Sequence, residues 1–192
     1  MKIAIDISQL AYEKTGVSNY LKQFIISLLQ KDLTNEYILF FSSTRKKLDT
    51  SFLKEIKNPH VTVRVFRFPP LVLHFVWNIA HTFPIEKLLG DLDIFISSDW
   101  TQPPSIKAKL ATIVYDLIVY KYPEETSSKW KISFPRLRIT PNIVEVQKKR
   151  FNWIKNEVSL IFCISQSTKN DLIQLLGIPQ EKIKVTYPGL SI

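Results

Sequence analysis

The 192-residue chain has a single cysteine, Cys163, and only three histidines, His60, His74 and His81. One cysteine excludes an internal disulfide and fits a reducing compartment. It lies inside an apolar run and reads as a small core residue. His74 and His81 are two helical turns apart, too far for a zinc pair without other ligands, so metal chemistry is not expected. Both rings read as helix surface or core. Glycine is scarce, with four in the chain, and neither a G-x-G-x-x-G fingerprint nor a G-x-S-x-G nucleophile elbow occurs. No apolar run reaches about eighteen residues, so no simple membrane-spanning helix is expected. Asp6 follows only a few apolar residues, which argues against a secretory signal.

What is present points to an ordinary folded domain. Hydrophobic residues make up 45% and charged residues 22%, enough apolar surface for one well-buried core. Lys and Arg number 26 against 17 Asp and Glu, a net charge of +9. The excess is spread along the chain, from Arg45-Lys46-Lys47 to Lys148-Lys149-Arg150. Such diffuse charge suits nucleic acid, an anionic membrane surface or phosphorylated small molecules, and does not choose among them.

Patterning predicts strands at residues 2–7, 37–41, 61–66, 93–96, 111–114, 160–164 and 182–186. Helices are predicted at 17–33, 51–57, 71–89, from a Thr140 cap to 157, and at 165–176, the last closed by Gly177. Residues 124–139 read as the longest irregular segment. Strands alternating with helices imply βαβ units. The expected fold is α/β: one Rossmann-like domain over residues 1–192, with a mostly parallel sheet of about seven strands and helices on both faces.

Ligands of such sheets gather at the strands' carboxyl ends. There the first loop carries Gly16, Val17, Ser18 and Asn19, the fourth Asp99 and Trp100, the fifth Tyr115 and Asp116, and the sixth Ser165 and Ser167. Gly16 would let a phosphate approach bare N–H groups at a positive helix end, or it serves a cap or turn. Asp116 faces a ligand or caps the backbone that follows. The serines read first as helix caps. Residues 129–138 interleave Trp130 and Phe134 with basic side chains, a pattern that suits nucleic acid, an anionic lipid head group or a solvated loop.

Five stretches in this order, at 5–10, 15–29, 97–104, 112–124 and 164–189, resemble the N-terminal domain of family 4 glycosyltransferases with the GT-B architecture. The resemblance covers nearly the whole chain. It implies an acceptor-side lobe facing a donor-binding lobe across a cleft, with retaining transfer from a nucleotide-sugar and no metal or other cofactor. Gly16 and Val17 would meet the donor diphosphate. Asp116 and Tyr115 would face the transferred sugar as the catalytic pair, and Asn19, Asp99, Trp100 and Ser165 would line the acceptor or sugar side. Many relatives carry a histidine where this chain has Tyr115, and a phenol is a poor base near neutral pH. The family's E-x7-E motif belongs to the second lobe and is absent, so the isolated chain is expected to be half an active site with little transfer activity.

The expected acceptor is lipid-linked or a polysaccharide, and the expected location is cytoplasmic, at the inner face of a membrane, through the basic surface and the aromatic stretch 71–89. The contrasting reading is a non-catalytic module that binds a glycan or phosphorylated ligand. Nucleic-acid binding rests on charge and Trp130/Phe134 alone and is not expected.

Overall fold

The computed structural model describes residues 1–127 and 142–189, apart from the side chains of Glu55 and Ser127. Its centre is a seven-stranded sheet in which every pairing is parallel, in the order β3-β2-β1-β4-β5-β6-β7. The strands are β1 (Lys2–Asp6), β2 (Glu36–Ser42), β3 (Val61–Phe66), β4 (Ile94–Ser97), β5 (Lys109–Val114), β6 (Leu160–Cys163) and β7 (Ile183–Val185). Helices connect them: α1 (Gly16–Lys31), α2 (Pro70–Leu73), α3 (Glu86–Leu89), α4 (Ile118–Lys121), α5 (Pro123–Ser127), α6 (Ile143–Glu157) and α7 (Gln166–Leu176). This is a Rossmann-like α/β fold.

Alternation along the strands divides the core in two, because successive side chains point to opposite faces. Ile3, Ile5, Tyr37, Leu39, Phe41 and Ile113 pack under α1 on one face. Ala4, Ile38, Phe40, Phe95, Leu110 and Val114 pack on the other, against Trp77, Phe151, Ile154 and Leu172. Cys163 is buried and unpaired, a core residue as its apolar surroundings imply.

Three elements differ from the sequence expectation. Residues 71–89 are not one helix. α2 passes into a π-helical turn, His74–Ile79, and the helix then breaks before α3, with positive φ at His81 and Phe83 just ahead of Pro84. Both sides of this stretch are apolar, so periodicity could not locate its ends, and proline stops a helix by removing a donor. Residues 124–127 belong to α5 and are helical rather than irregular. α6 is capped by Asn142, whose Oδ1 accepts from Val144 N at 3.0 Å. The Thr140 cap and the basic stretch 129–138 with Trp130 and Phe134 lie outside the described residues.

Candidate functional site

From β1 the chain winds outward in one direction through β2 and β3, and in the other through β4 to β7. The loops after β1 and β4 therefore part at a switch point, where open α/β sheets form a ligand crevice at the strands' carboxyl ends.

α1 opens at that edge. Thr15 is its N-cap, its hydroxyl accepting from Ser18 N at 3.1 Å and donating to Tyr12 O at 3.0 Å. Gly16 and Val17 supply the first helical N–H groups, which have no acceptor within the helix. A Cβ placed on Gly16 would meet nothing within 4 Å, and its φ is not positive, so neither packing nor backbone geometry requires glycine. Asn19 is exposed one turn further on.

Tyr115 is the hub that draws the loops together. It is 5% exposed, with its ring edge-on to Tyr20 of α1 at 5.6 Å and its hydroxyl 3.3 Å from Ser98 Oγ. Its carbonyl accepts from Thr168 Oγ1 at 3.0 Å. Thr168 N in turn donates to the Ser165 hydroxyl that caps α7, the role the serine's cap preference suggests. Burial raises the Tyr115 phenol above its ordinary pKa. The structure thus sets Tyr115 inside the core and not on the rim. Asp116 is exposed at the rim, and its Oδ1 accepts from Ile118 N at 3.0 Å, so the capping reading applies to one of its oxygens.

Beneath the rim lies a polar cluster that sequence reasoning missed. Arg150 of α6 is 1% exposed. Its Nη2 donates to Thr112 Oγ1 at 2.9 Å and to Ile113 O at 3.1 Å, and its Nη1 donates to Gln147 Oε1 at 3.3 Å. Nε has no partner. Gln147 Nε2 donates to Asp99 O at 2.8 Å, so α6 braces both the end of β5 and the loop after β4. Asn78 braces that loop from the π-helical turn, donating to Trp100 O at 2.9 Å and accepting from Gln102 N at 3.0 Å.

Two carboxylates feel the buried guanidinium. Burial raises the pKa of Asp6, against hydrogen bonds from Ser8 and the charge of Arg150. Burial raises the half-buried Asp99 too; Arg150 opposes the shift and Asp116 adds to it. Burial lowers Arg150, and Asp99, Tyr115 and Asp6 counter that. The readable signal was register. Gln147 and Arg150 share the inward stripe of α6 with Ile143 and Ile154, where apolar residues are the rule.

The structure therefore brings Gly16, Val17, Asp99, Trp100, Asp116 and Ser165 to one edge of the sheet, tied through Tyr115 and α6. Among the described residues, no group of three or more His, Cys, Asp or Glu is placed to hold a metal ion, and no helix is long and apolar enough to cross a membrane.

Fold and edge together define a Rossmann-like α/β domain whose loops gather at the carboxyl ends of its strands. The model of Glycosyltransferase Family 4 matches residues 15–192, and the chain belongs to that family. The curated proteins give no match. Among solved structures, a UDP-glucuronic acid 4-epimerase from Bacillus cereus in complex with NAD is similar at 12% identity and a TM-score of 0.35. That similarity covers 85% of this chain and 56% of the epimerase, so the chain spans little more than half the length of that structure.

Proposed function

We propose that this lobe is the acceptor-side half of a retaining glycosyltransferase that moves a hexosyl group from a nucleotide-sugar to a lipid-linked or polysaccharide acceptor. A second, donor-binding lobe would close the cleft, and the lobe alone would transfer little sugar. The observation that carries the reading is the convergence of the four loops at the β1/β4 switch point, in a chain of this family.

In this reading the Gly16 and Val17 N–H groups and the positive end of α1 take the donor diphosphate, stabilising the charge that develops as the sugar leaves. Asp116 and Asn19 hydrogen-bond sugar hydroxyls, while Asp99 and Trp100 offer a carboxylate and an aromatic surface to the acceptor. Tyr115 acts by holding Asp116 in place, not as an acid or base. No cofactor enters this reading: the positive end of α1, together with basic groups of the second lobe, would neutralise the leaving group. The test is release of nucleoside diphosphate by the full-length polypeptide that carries this lobe, supplied with nucleotide-sugars and a lipid extract. Acceptor-dependent release that falls at least tenfold in Asp116→Asn, by loss of an interaction made in the transition state, is expected. Wild-type rates in that variant would remove Asp116 from the site.

One observation favours a second reading. With Tyr115 buried, the position directly after β5 presents no proton-transfer group to a ligand, as in a module that binds a glycan or phosphorylated ligand without turning it over. Glycan binding by the full-length polypeptide, with no release of nucleoside diphosphate, would support that module over the enzyme.

A further inference from the structure

The stretch from Pro70 to Ile79 is apolar on its inner and outer sides alike. Inward, Trp77 is 1% exposed and Asn78 is tied to the loop after β4. Outward, Val72, Phe75 and Ile79 follow one another at i, i+3 and i+7 and are 47%, 59% and 43% exposed. Phe83 is held close by, its carbonyl accepting from Trp77 Nε1 at 3.0 Å, and its side chain is also exposed. Exposed apolar residues scattered singly are normal, but a contiguous stripe marks an interaction surface.

The neighbouring charge says what would cover it. A groove of about 360 Å³ runs between this stretch and α6, lined by Asn78, Ile79, Lys148, Lys149, Asn152 and Trp153. Both lysines are exposed, and Lys149 is near enough for its charge to act on His74. On α6 the exposed Glu145 stands three and four residues before the two lysines, and Glu157, at the far end, accepts from His81 Nε2 at 3.0 Å, so the positive charges outnumber the acid beside them. The groove therefore offers the Lys149 ammonium and an amide directly beside the apolar stripe, with the exposed Lys148, whose ammonium lies 5.8 Å over the Tyr120 ring, within side-chain reach. An anionic bilayer has the matching order of chemistry, phosphate at the surface and hydrocarbon just below it.

We propose that this face docks the lobe on an anionic membrane. Val72, Phe75, Ile79 and Phe83 enter the interfacial layer, while Lys148, Lys149 and Asn152 hold a lipid phosphate in the groove. Asn78 then links the docked surface directly to the loop bearing Asp99 and Trp100, so a lipid-linked acceptor would be presented at the cleft from that side. That last consequence rests on the transfer reading; the surface itself does not.

The test is co-sedimentation of the chain with vesicles of phosphatidylcholine alone and of phosphatidylcholine with phosphatidylglycerol. Binding to the anionic vesicles is expected, weakening with salt. Reversing both charges in Lys148→Glu/Lys149→Glu should weaken it by roughly 30-fold or more, at about fivefold for each positive charge lost near the surface. Phe75→Ser/Ile79→Ser should weaken it roughly tenfold through lost apolar burial. All four side chains are exposed, and circular dichroism checks that the variants fold. Equal binding to neutral and anionic vesicles, or unchanged binding by either variant, overturns the proposal. So does a concentration-dependent dimer that Phe75→Ser/Ile79→Ser dissolves, since the stripe then faces a second copy. Failure here leaves sugar transfer standing, because these residues lie outside the rim; failure of nucleotide release with vesicle binding intact does the reverse.

Discussion

Glu86 and Asp32, at the amino-terminal edge of the sheet, are loaded with hydrogen-bond donors, whereas buried Asp6 and half-buried Asp99 at the carboxyl-terminal edge have few. One Glu86 oxygen accepts from Ser105 Oγ and from the N–H groups of Ile106, Lys107 and Ala108, at 2.6–3.1 Å. Burial alone would push this carboxyl up, but the Ser105, Lys107 and Ala108 donors outweigh it and hold it down to about 2. Asp32 is lowered by Asn35, Tyr37 and Thr34, which all donate to it. Asp6 and Asp99 are raised, by burial. The first edge uses charge to pin loops. Neither edge is fully satisfied, since Glu86 Oε2 lacks a partner among the described residues as Arg150 Nε and Gln102 Nε2 do, but at the second edge the unbonded groups lie by carboxylates that burial raises.

The largest effect expected from this contrast comes from Arg150. Arg150→Met would take a donor from the Ile113 carbonyl and the cation from buried Asp6 and half-buried Asp99, while Thr112 keeps its bonds to Ser97, and should cost about 3 kcal/mol in urea unfolding. Adding Asp6→Asn should restore part of that loss. A wild-type midpoint for Arg150→Met would mean the cluster is not under electrostatic tension. Next comes Glu86→Ala, expected to cost about 2 kcal/mol, since two of the donors it frees are exposed and water replaces the acceptor.

The pH dependences should have opposite signs. Glu86 contributes stability that is complete above its ordinary value of 4.5 and is lost as pH falls towards about 2. Asp6 has its pKa raised in the fold, so its ionised form costs stability, and that cost disappears as pH falls through the folded pKa towards 3.8. Asp6→Asn should therefore stabilise the chain at neutral pH, with no difference below about pH 3.8. A destabilised Asp6→Asn at neutral pH would show that Arg150 more than offsets the burial.

Much of the fold could be read from the chain because its strands are short apolar runs between clear helix signals. Strand alternation also contained the answer for Tyr115. It continues the Ala111, Ile113 series into the core packed under α1, so its neighbour Asp116 has to face outward. Adjacency in sequence suggested a pair; the pleat separates it. Arg150 stayed hidden because a charge inside an apolar stripe looks like a solvated position until its partners, 37 and 38 residues away in the chain, are in place. The 71–89 stretch failed for the opposite reason: apolar residues on both sides give a helical phase no contrast to follow.

The smallest expected effect bears most directly on the rim. Gly16 has helical backbone and open space around it, so Gly16→Ala should be free of clashes and should raise the melting temperature by about 1–3 °C, through helix propensity and a less flexible unfolded chain. A glycine kept only to shape a turn would instead destabilise when replaced. If the bare N–H groups at this helix end receive a diphosphate, the added methyl intrudes where the ligand approaches. The full-length polypeptide should then lose affinity for its nucleotide-sugar while gaining stability. Opposite signs in the two measurements separate a ligand-facing glycine from a structural one. A higher melting temperature with unchanged affinity would remove Gly16 from the site, and with it the claim that this helix end receives the diphosphate.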